Sequence, residues 1–192
     1  MYDPTFALPY RTLQIADSGA PTGGFVHSNG LEELFRSGVI GDVDDLLFQL
    51  QAFVRESVPG RELSFLHHAW MAALDTDLDR LELLVRERLI TRTTASARAA
   101  EKLRGAALRR ILARAFDEDM GKVWDAADGS HAVLFGVAGF ADGASRRVVI
   151  TAYAYSLVAG IARAAVRLGR VTPSEAEYVI CLLYTSPSPR DS

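Results

Sequence analysis

The sequence predicts an all-α fold, a single-domain helical bundle built around a buried, alanine-rich central helix. Three observations support this prediction. Apolar residues recur every three or four positions through most of the chain, which is the spacing of an amphipathic helix. The 192 residues, 49% hydrophobic and 23% charged, suit one globular domain with a sizeable core. Residues 146–168 form a long apolar segment rich in small residues, which we expect at the centre.

The helices can be placed in order from this spacing. They are expected over residues 8–17, 25–36, 42–58, 61–74, 77–89, 94–116, 131–140 and 146–168, with a last one from residue 172. In the helix over 94–116, an apolar face is expected from the repeat of Leu103, Ala107, Ile111 and Ala115. Residues 18–24 are expected to form a polar loop between the first two helices.

Several helix ends have local signals. Gly38 is expected to close the second helix, and Asp42 and Asp77 to cap the N-termini of later ones. The third helix is predicted to stop at Pro59, because proline lacks a backbone N–H and clashes with the preceding turn. Residues 172–175 read Thr-Pro-Ser-Glu, a capping box that starts the last helix.

The end of the chain departs from this pattern. Pro187 and Pro189 do not allow the last helix to continue. We therefore expect a domain over residues 1–180 and a non-native, disordered tail over residues 181–192, with the natural C-terminus missing.

Composition narrows the functional classes. A net charge of −3 gives no global attraction to nucleic acid or to anionic lipid. One cysteine, Cys181, suits a reducing cytoplasm, where we expect the protein. The apolar run over residues 148–162 is shorter than a membrane span, so burial by protein is expected.

The polar loop between the first two helices invites an enzymatic interpretation. Asp17, Ser18, His27 and Ser28 offer a nucleophile and a base, but no nucleophile elbow surrounds either serine. The glycine pair after Thr22 precedes no lysine of a phosphate-binding loop. We therefore predict no catalytic residue and no cofactor.

Two further groups of residues are candidates for binding. His67 and His68 are adjacent on a predicted helix and point about 100° apart, so they do not chelate one metal ion; no metal site is predicted. Basic residues are frequent between Arg86 and Arg114 but alternate with glutamates. They suggest a solvated helix face or a face for an acidic protein. The alternative is nucleic-acid binding by the face from Arg98 to Arg114.

Four segments together resemble the urease accessory protein UreF family. The first is the loop, where thirteen positions match: Gln14, Ala16, Asp17, Ser18, Pro21, Gly23, Gly24, Phe25, His27, Ser28, Gly30, Leu31 and Glu32. The others are Arg98 with Gly105, then residues 131–136, and then residues 164–168 at the end of the long apolar helix. They occur in family order over most of residues 10–180.

The resemblance implies an all-helical, non-enzymatic, cytoplasmic chaperone for nickel insertion into urease. Such proteins form homodimers, bind the D/H-type urease accessory protein and recruit the G-type accessory GTPase, modulating its cycle and reaching the urease apoprotein through the complex. Nickel is handled by that complex, and no nucleic acid or membrane is involved. Family members continue beyond the expected tail, in the region used to dock the D/H-type protein.

The resemblance also suggests roles for individual residues. Partner contacts are expected at Glu32 and Arg167 above all, and at Arg98 and His27. A structural role in the loop is expected for Asp17, Ser18, Pro21, Gly23, Gly24 and Ser28.

Overall fold

In the computed structural model, ten α-helices form one all-α domain over the described residues, which are 9–17, 20, 30–115 and 120–185. They are α1 (Tyr10–Ala16), α2 (Leu31–Arg36), α3 (Val43–Ala52), α4 (Ser64–Leu74), α5 (Leu78–Thr91), α6 (Ala95–Ala115), α7 (Gly121–Ala126), α8 (His131–Ala141), α9 (Arg146–Arg167) and α10 (Pro173–Thr185). These ranges contain no β-strand. The predicted fold class is confirmed.

The most completely enclosed helix is α8. Every residue from 131 to 139 is buried, with α4 packed most extensively against it and α6, α1 and α9 on other sides. The helix α9, which the sequence suggested as the centre, buries five of its six alanines, and its exposed residues are 146–148, 151 and 167. By length and composition α9 could cross a membrane, yet 56% of its most apolar stretch is buried inside the fold.

The backbone stays helical from α3 through to α4, so the predicted end of the third helix at Pro59 is wrong. Residues Phe53–Ser57 and Pro59–Leu63 are π-helical, and the backbone between them stays helical. The N–H of Val58 donates to the carbonyl of Phe53, five residues earlier instead of four. This wider turn accommodates Pro59, which has no N–H to donate.

The buried side chains form two clusters. The larger one joins α1 and α4–α9 and includes Leu66, Leu84, Leu108 and Phe135. The smaller one joins α2, α3 and α10 to the second half of α9. The helix α9 therefore belongs to both clusters and connects them.

Most predicted helix ends are confirmed. The carboxylate of Asp42 accepts from the N–H groups of Asp44 and Asp45 at 3.0 Å each. Asp77 accepts from the N–H of Arg80 at 2.9 Å. In the capping box of α10, a Glu175 oxygen accepts from the N–H of Thr172 at 2.7 Å, and the Glu175 N–H donates to the Thr172 hydroxyl at 3.3 Å.

Two predicted boundaries differ. Gly30 has a φ of +87° and precedes the first turn of α2, so this helix begins at Leu31 instead of residue 25. Residues 21–29 lie outside the described residues. The last helix runs to Thr185, so residues 181–185 are helical. Residues 186–192 lie outside the described part, and the non-native origin of the tail stays a prediction.

The buried face of α6 is not the predicted one. Leu103 is 67% exposed, and the buried residues are Glu101, Gly105, Leu108 and Leu112. These four positions also follow the helical repeat. A pattern restricted to apolar residues omits Glu101, which is buried because polar groups of neighbouring helices surround it.

Candidate functional site

The predicted loop residues are only partly within the described chain. Asp17 is the C-terminal cap of α1 with extended backbone angles. The other members lie outside the described residues: Ser18, Pro21, Gly23, Gly24, His27 and Ser28. Their structural role, and the partner contact expected of His27, stay predictions.

Glu32 and Arg167 are both exposed, on helices that share the smaller core cluster. Glu32 is exposed in the first turn of α2, whose Leu31 and Phe35 pack in the smaller core cluster together with the second half of α9. Arg167 is the exposed last residue of α9. The partner contacts expected of Glu32 and Arg167 stay predictions.

Arg98 has a structural position in the connection between α5 and α6. Its Nη1 donates to the carbonyl oxygens of Arg92 at 2.7 Å and Thr93 at 3.2 Å. These bonds satisfy carbonyl groups at and just after the end of α5. The partner contact expected of Arg98 stays a prediction, since its side chain is also exposed.

Two glycines of the matched segments lie where helices approach closely. A Cβ atom on Gly136 would lie 2.6 Å from the carbonyl oxygen of Leu66 in α4. A Cβ on Gly105 would lie 3.0 Å from the backbone nitrogen of Ser130. Gly136 therefore requires the absence of a side chain, and a side chain at Gly105 would press on the backbone just before α8.

The basic residues of α5 and α6 do not form one solvated face, so this interpretation is wrong for several of them. Arg88 is fully buried, and Arg92 is only partly exposed. Arg104 approaches His131, and Arg109 pairs with Asp125 at 3.1 Å. Four of these basic residues are therefore engaged within the fold, whereas Arg98, Lys102, Arg110 and Arg114 have exposed side chains.

A buried polar cluster lies where α5, α6, α8 and α9 meet the π-helical segment before α4. Glu62 and Glu101 face the guanidinium groups of Arg88 and Arg92. The Arg92 Nη2 lies 2.9 Å from Glu101 Oε2 and 3.1 Å from Glu62 Oε1. Arg88 donates to both glutamates and to the carbonyl of Arg61. Two buried carboxylates and two guanidinium groups balance in charge, as burial requires.

The same cluster holds the N-terminus of α8. Glu101 Oε1 accepts from the hydroxyl of Ser130 at 3.0 Å and from the N–H of Ala132 at 3.4 Å. The Ser130 hydroxyl in turn accepts from the N–H of Val133 at 3.4 Å. A carboxylate at this position satisfies unpaired N–H groups and interacts favourably with the helix dipole.

The cluster shifts the pKa values of its members. Burial alone would raise the pKa of Glu101, but Arg88 and Arg92 outweigh it and hold that pKa well below its usual value. Burial alone would lower the pKa of Arg88, but Glu101 and other cluster members outweigh it and raise that pKa. The pair of Arg88 with Glu101 therefore stays ionised at ordinary pH values.

His131 and Tyr153 complete the cluster. The Tyr153 hydroxyl donates to Glu62 Oε2 at 3.2 Å, and burial followed by Glu62 raises the pKa of Tyr153. Arg104 Nη2 lies 3.3 Å from His131 Nδ1, and burial followed by Arg104 lowers the pKa of His131 well below its usual value. His131 is therefore neutral at physiological pH, with Nδ1 as the acceptor.

These groups define a structural joint. The four helices and the π-helical segment meet through paired charges that are buried, so the cluster offers a substrate little access. Within the described residues, no group of three histidine, cysteine or acidic side chains is placed to hold a metal ion. His67 and His68 lie side by side with rings at 82°, and His67 Nδ1 lies 3.5 Å from Arg146 Nη1.

Sequence reasoning missed this cluster, although a signal existed. Arg88 continues the buried stripe of Leu81, Leu84 and Val85 along α5. Glu62 lies four residues after buried Val58 and four before buried Leu66. A charged residue in register with a buried apolar stripe indicates a buried pair.

Comparison with known proteins identifies the family. The UreF family model matches residues 40–182. The urease accessory protein UreF of Trichodesmium erythraeum is 28% identical over 177 residues, covering 89% of this chain and 76% of that protein. The urease accessory protein UreF of Mycolicibacterium vanbaalenii is 31% identical over 167 residues, covering 85% of this chain and 74% of that protein. Urease accessory protein F of Arabidopsis thaliana is 28% identical over 174 residues, covering 86% of this chain and 71% of that protein.

An all-helical domain with these matches is in the class of accessory proteins, not of enzymes. The chain belongs to the UreF family of urease accessory proteins. Membership implies interaction with other urease accessory proteins.

Proposed function

We propose that this protein is a urease maturation chaperone that links the D/H-type accessory protein to the G-type GTPase during nickel insertion and modulates the GTPase. The observation that supports this proposal most is the family match over residues 40–182. In this proposal nickel is cargo of the complex, the protein acts in the cytoplasm as a homodimer, and urease apoprotein is reached through the complex.

The exposed charges of Glu32 and Arg167 suit the recognition of a folded protein. Both side chains are exposed on helices that the smaller core cluster holds together. Charges at the rim of an interface set association rate and specificity more than affinity. We assign to Glu32 and Arg167 the contact with the GTPase, and Arg98 and His27 are proposed as additional partner contacts.

The test uses purified protein in binding assays with the two accessory proteins. The full chain is expected to bind both and to be required for nickel-dependent urease activation in a reconstituted mixture. Glu32→Lys should weaken binding of the GTPase about tenfold, mainly through slower association. The matched control is Asp75→Lys, at an exposed acidic residue that ends α4, a helix of the larger core cluster.

Two results would contradict the proposal. Failure of the wild-type chain to bind either accessory protein would exclude the linking role. Strong, salt-dependent binding to DNA or RNA at low salt, lost on substitution of Lys102 and Arg114, would favour the nucleic-acid alternative instead.

A further inference from the structure

The outward side of α6 has an exposed leucine at its middle. Leu103 is 67% exposed, and Ala99 and Ala106, four residues before it and three after it, are exposed as well. Residues at these spacings share one face of a helix, and the buried Leu108 and Leu112 lie on the opposite side. With only methyl groups beside the leucine, the backbone of another helix can approach α6 closely.

The charged residues exposed along α6 are all basic. Of these, Arg98, Lys102 and Arg110 lie within two turns of the leucine. Glu101, the one acidic residue of α6, is buried and paired inside the polar cluster. Arg110 Nε donates to the carbonyl oxygen of Ala106 at 3.3 Å, and in the described part of the chain neither Lys102 nor Arg110 is paired with a carboxylate. The outward side of α6 therefore carries positive charge that the described residues do not compensate.

Acidic residues next to α6 limit how far this surface extends. Asp125 of α7 is paired with Arg109 at 3.1 Å, so its charge is already engaged. Residues 117–119, which follow α6 in the chain, are acidic and lie outside the described residues, so we do not include Arg114 at the end of α6. The α6 surface is defined by Arg98, Ala99, Lys102, Leu103, Ala106 and Arg110.

An apolar strip between basic edges is complementary to an acidic amphipathic helix. Around the axis of α6, Arg98 and Lys102 lie on one side of the two alanines, and Leu103 and Arg110 lie on the other. A partner helix would pack apolar residues against Leu103 and the alanines, while aspartate or glutamate beside them would pair with the cations. Charge complementarity therefore favours an acidic helix and disfavours a basic one.

Two other occupants fit the α6 surface less well. A second copy of this chain presenting the same surface would bring cations against cations, which repel one another. A nucleic acid would use the cations but leave Leu103 without an apolar contact, and α6 has no aromatic side chain on which a base could stack. A protein helix uses both the leucine and the charges.

We propose that the α6 surface docks an acidic amphipathic helix of a partner protein, with Leu103 as the central apolar contact. This inference rests on the proposed function, since it takes the partner to be one of the urease accessory proteins. It adds to that function a docking surface on a helix of the larger core cluster, whereas Glu32 and Arg167 belong to helices of the smaller one.

The test measures binding of the D/H-type protein and of the G-type GTPase separately, by calorimetry at low and at high salt. Leu103→Ala is expected to weaken binding of one of the two proteins about tenfold, as loss of a central apolar contact does. The double charge reversal Lys102→Glu with Arg110→Glu should weaken binding of the same protein by about tenfold or more at low salt. Its effect should shrink at high salt, because salt screens exposed charges.

Matched controls separate the α6 surface from general effects. Phe48→Ala removes an apolar side chain of α3 that is 63% exposed. Arg55→Glu combined with Arg147→Glu changes the net charge by the same amount as the double reversal in α6, at exposed positions outside that helix. Both controls should bind as wild type does. Thermal denaturation checks folding, and if the double reversal in α6 does not fold, Lys102→Gln with Arg110→Gln replaces it.

The outcomes separate this inference from the proposed function. If the wild type binds a partner and both α6 variants bind it equally well, the inference is wrong and the linking role stands. If the wild type binds neither protein, the linking role itself fails. Duplex DNA bound at low salt by the wild type and not by the double reversal, with partner binding unchanged, would make the occupant a nucleic acid. A change of oligomeric state in the α6 variants, with partner binding unchanged, would make it a second copy; both results overturn the inference.

Discussion

Asp142, the residue that ends α8, accepts two hydrogen bonds from Thr12 in the first turn of α1, one from the backbone N–H and one from the hydroxyl, both at 2.8 Å. Pro9, at the N-cap position of α1, makes no side-chain cap. A residue 130 positions away in sequence therefore provides the cap, and α1 is attached to the C-terminal end of α8.

Removing the Thr12 hydroxyl should loosen this attachment. Thr12→Val keeps the shape of a fully buried side chain but removes one of the two donors to a carboxylate. We expect the free energy of unfolding in urea to fall by about 1–2 kcal/mol. Thr151→Val, at an exposed position of α9, is the control and should change it by less than about 0.5 kcal/mol. Equal effects of the two substitutions would contradict the capping role.

Helix ends were predictable from sequence because a cap is a local structure. The carboxylates of Asp42 and Asp77 bond to N–H groups two or three residues onward, and the Thr172–Glu175 box closes within four residues. No distant residue is needed for these bonds. The cap of Thr12 by Asp142 was not predictable, since its two partners meet only through the tertiary fold.

The distinction between local and tertiary contacts also explains where the structure differs most from the sequence-based predictions. Pro59 normally ends a helix, but the π-helical turn avoids the hydrogen bond that proline cannot make. Arg88 and Glu101 resemble surface charges in sequence, and only the assembly of four helices with the π-helical segment provides their partners. Of the predicted partner contacts, Glu32 and Arg167 belong to helices whose packing together in the smaller core cluster depends on the tertiary fold.

Breaking the buried cluster should lower the free energy of unfolding far more than breaking an ion pair on the surface. Arg88→Met removes a guanidinium group from Glu62 and Glu101, leaving Arg92 as their remaining basic partner in the cluster. Loss of one partner of a buried pair typically destabilises by about 3–5 kcal/mol. Arg86→Met on the same helix breaks only the exposed pair with Glu82 and should cost less than about 1 kcal/mol. Chemical denaturation of both variants decides whether burial makes the difference.

Two glycines in neighbouring helices should respond in opposite directions to the same substitution. In Gly136→Ala, the new methyl group would meet the Leu66 carbonyl oxygen at 2.6 Å, so α4 and α8 must separate. We expect a loss of about 1–3 kcal/mol. At Gly160 in α9, a Cβ meets no atom within 4 Å. Gly160→Ala should therefore stabilise by about 0.5–1 kcal/mol through helix propensity. A stabilised Gly136→Ala protein would show that the two helices are not packed this closely.

The buried carboxylate of Glu101 should make stability depend on acid pH. Its pKa in the folded protein is well below the ordinary 4.5, at which the unfolded chain takes up a proton. The stabilisation is thus complete above about pH 4.5 and is lost as pH falls further, by at most about 1.4 kcal/mol per pH unit.

In urea titrations between pH 3 and 7, the excess in free energy of unfolding of wild type over Glu101→Gln should be constant above pH 4.5 and shrink below it. Glu175→Gln is the control. Hydrogen bonds from the Thr172 backbone and hydroxyl lower the pKa of Glu175 as well, but this side chain is only partly buried, so the same trend should be weaker. An advantage over Glu101→Gln that does not shrink below pH 4.5 would mean that the carboxylate is not held ionised by Arg88 and Arg92.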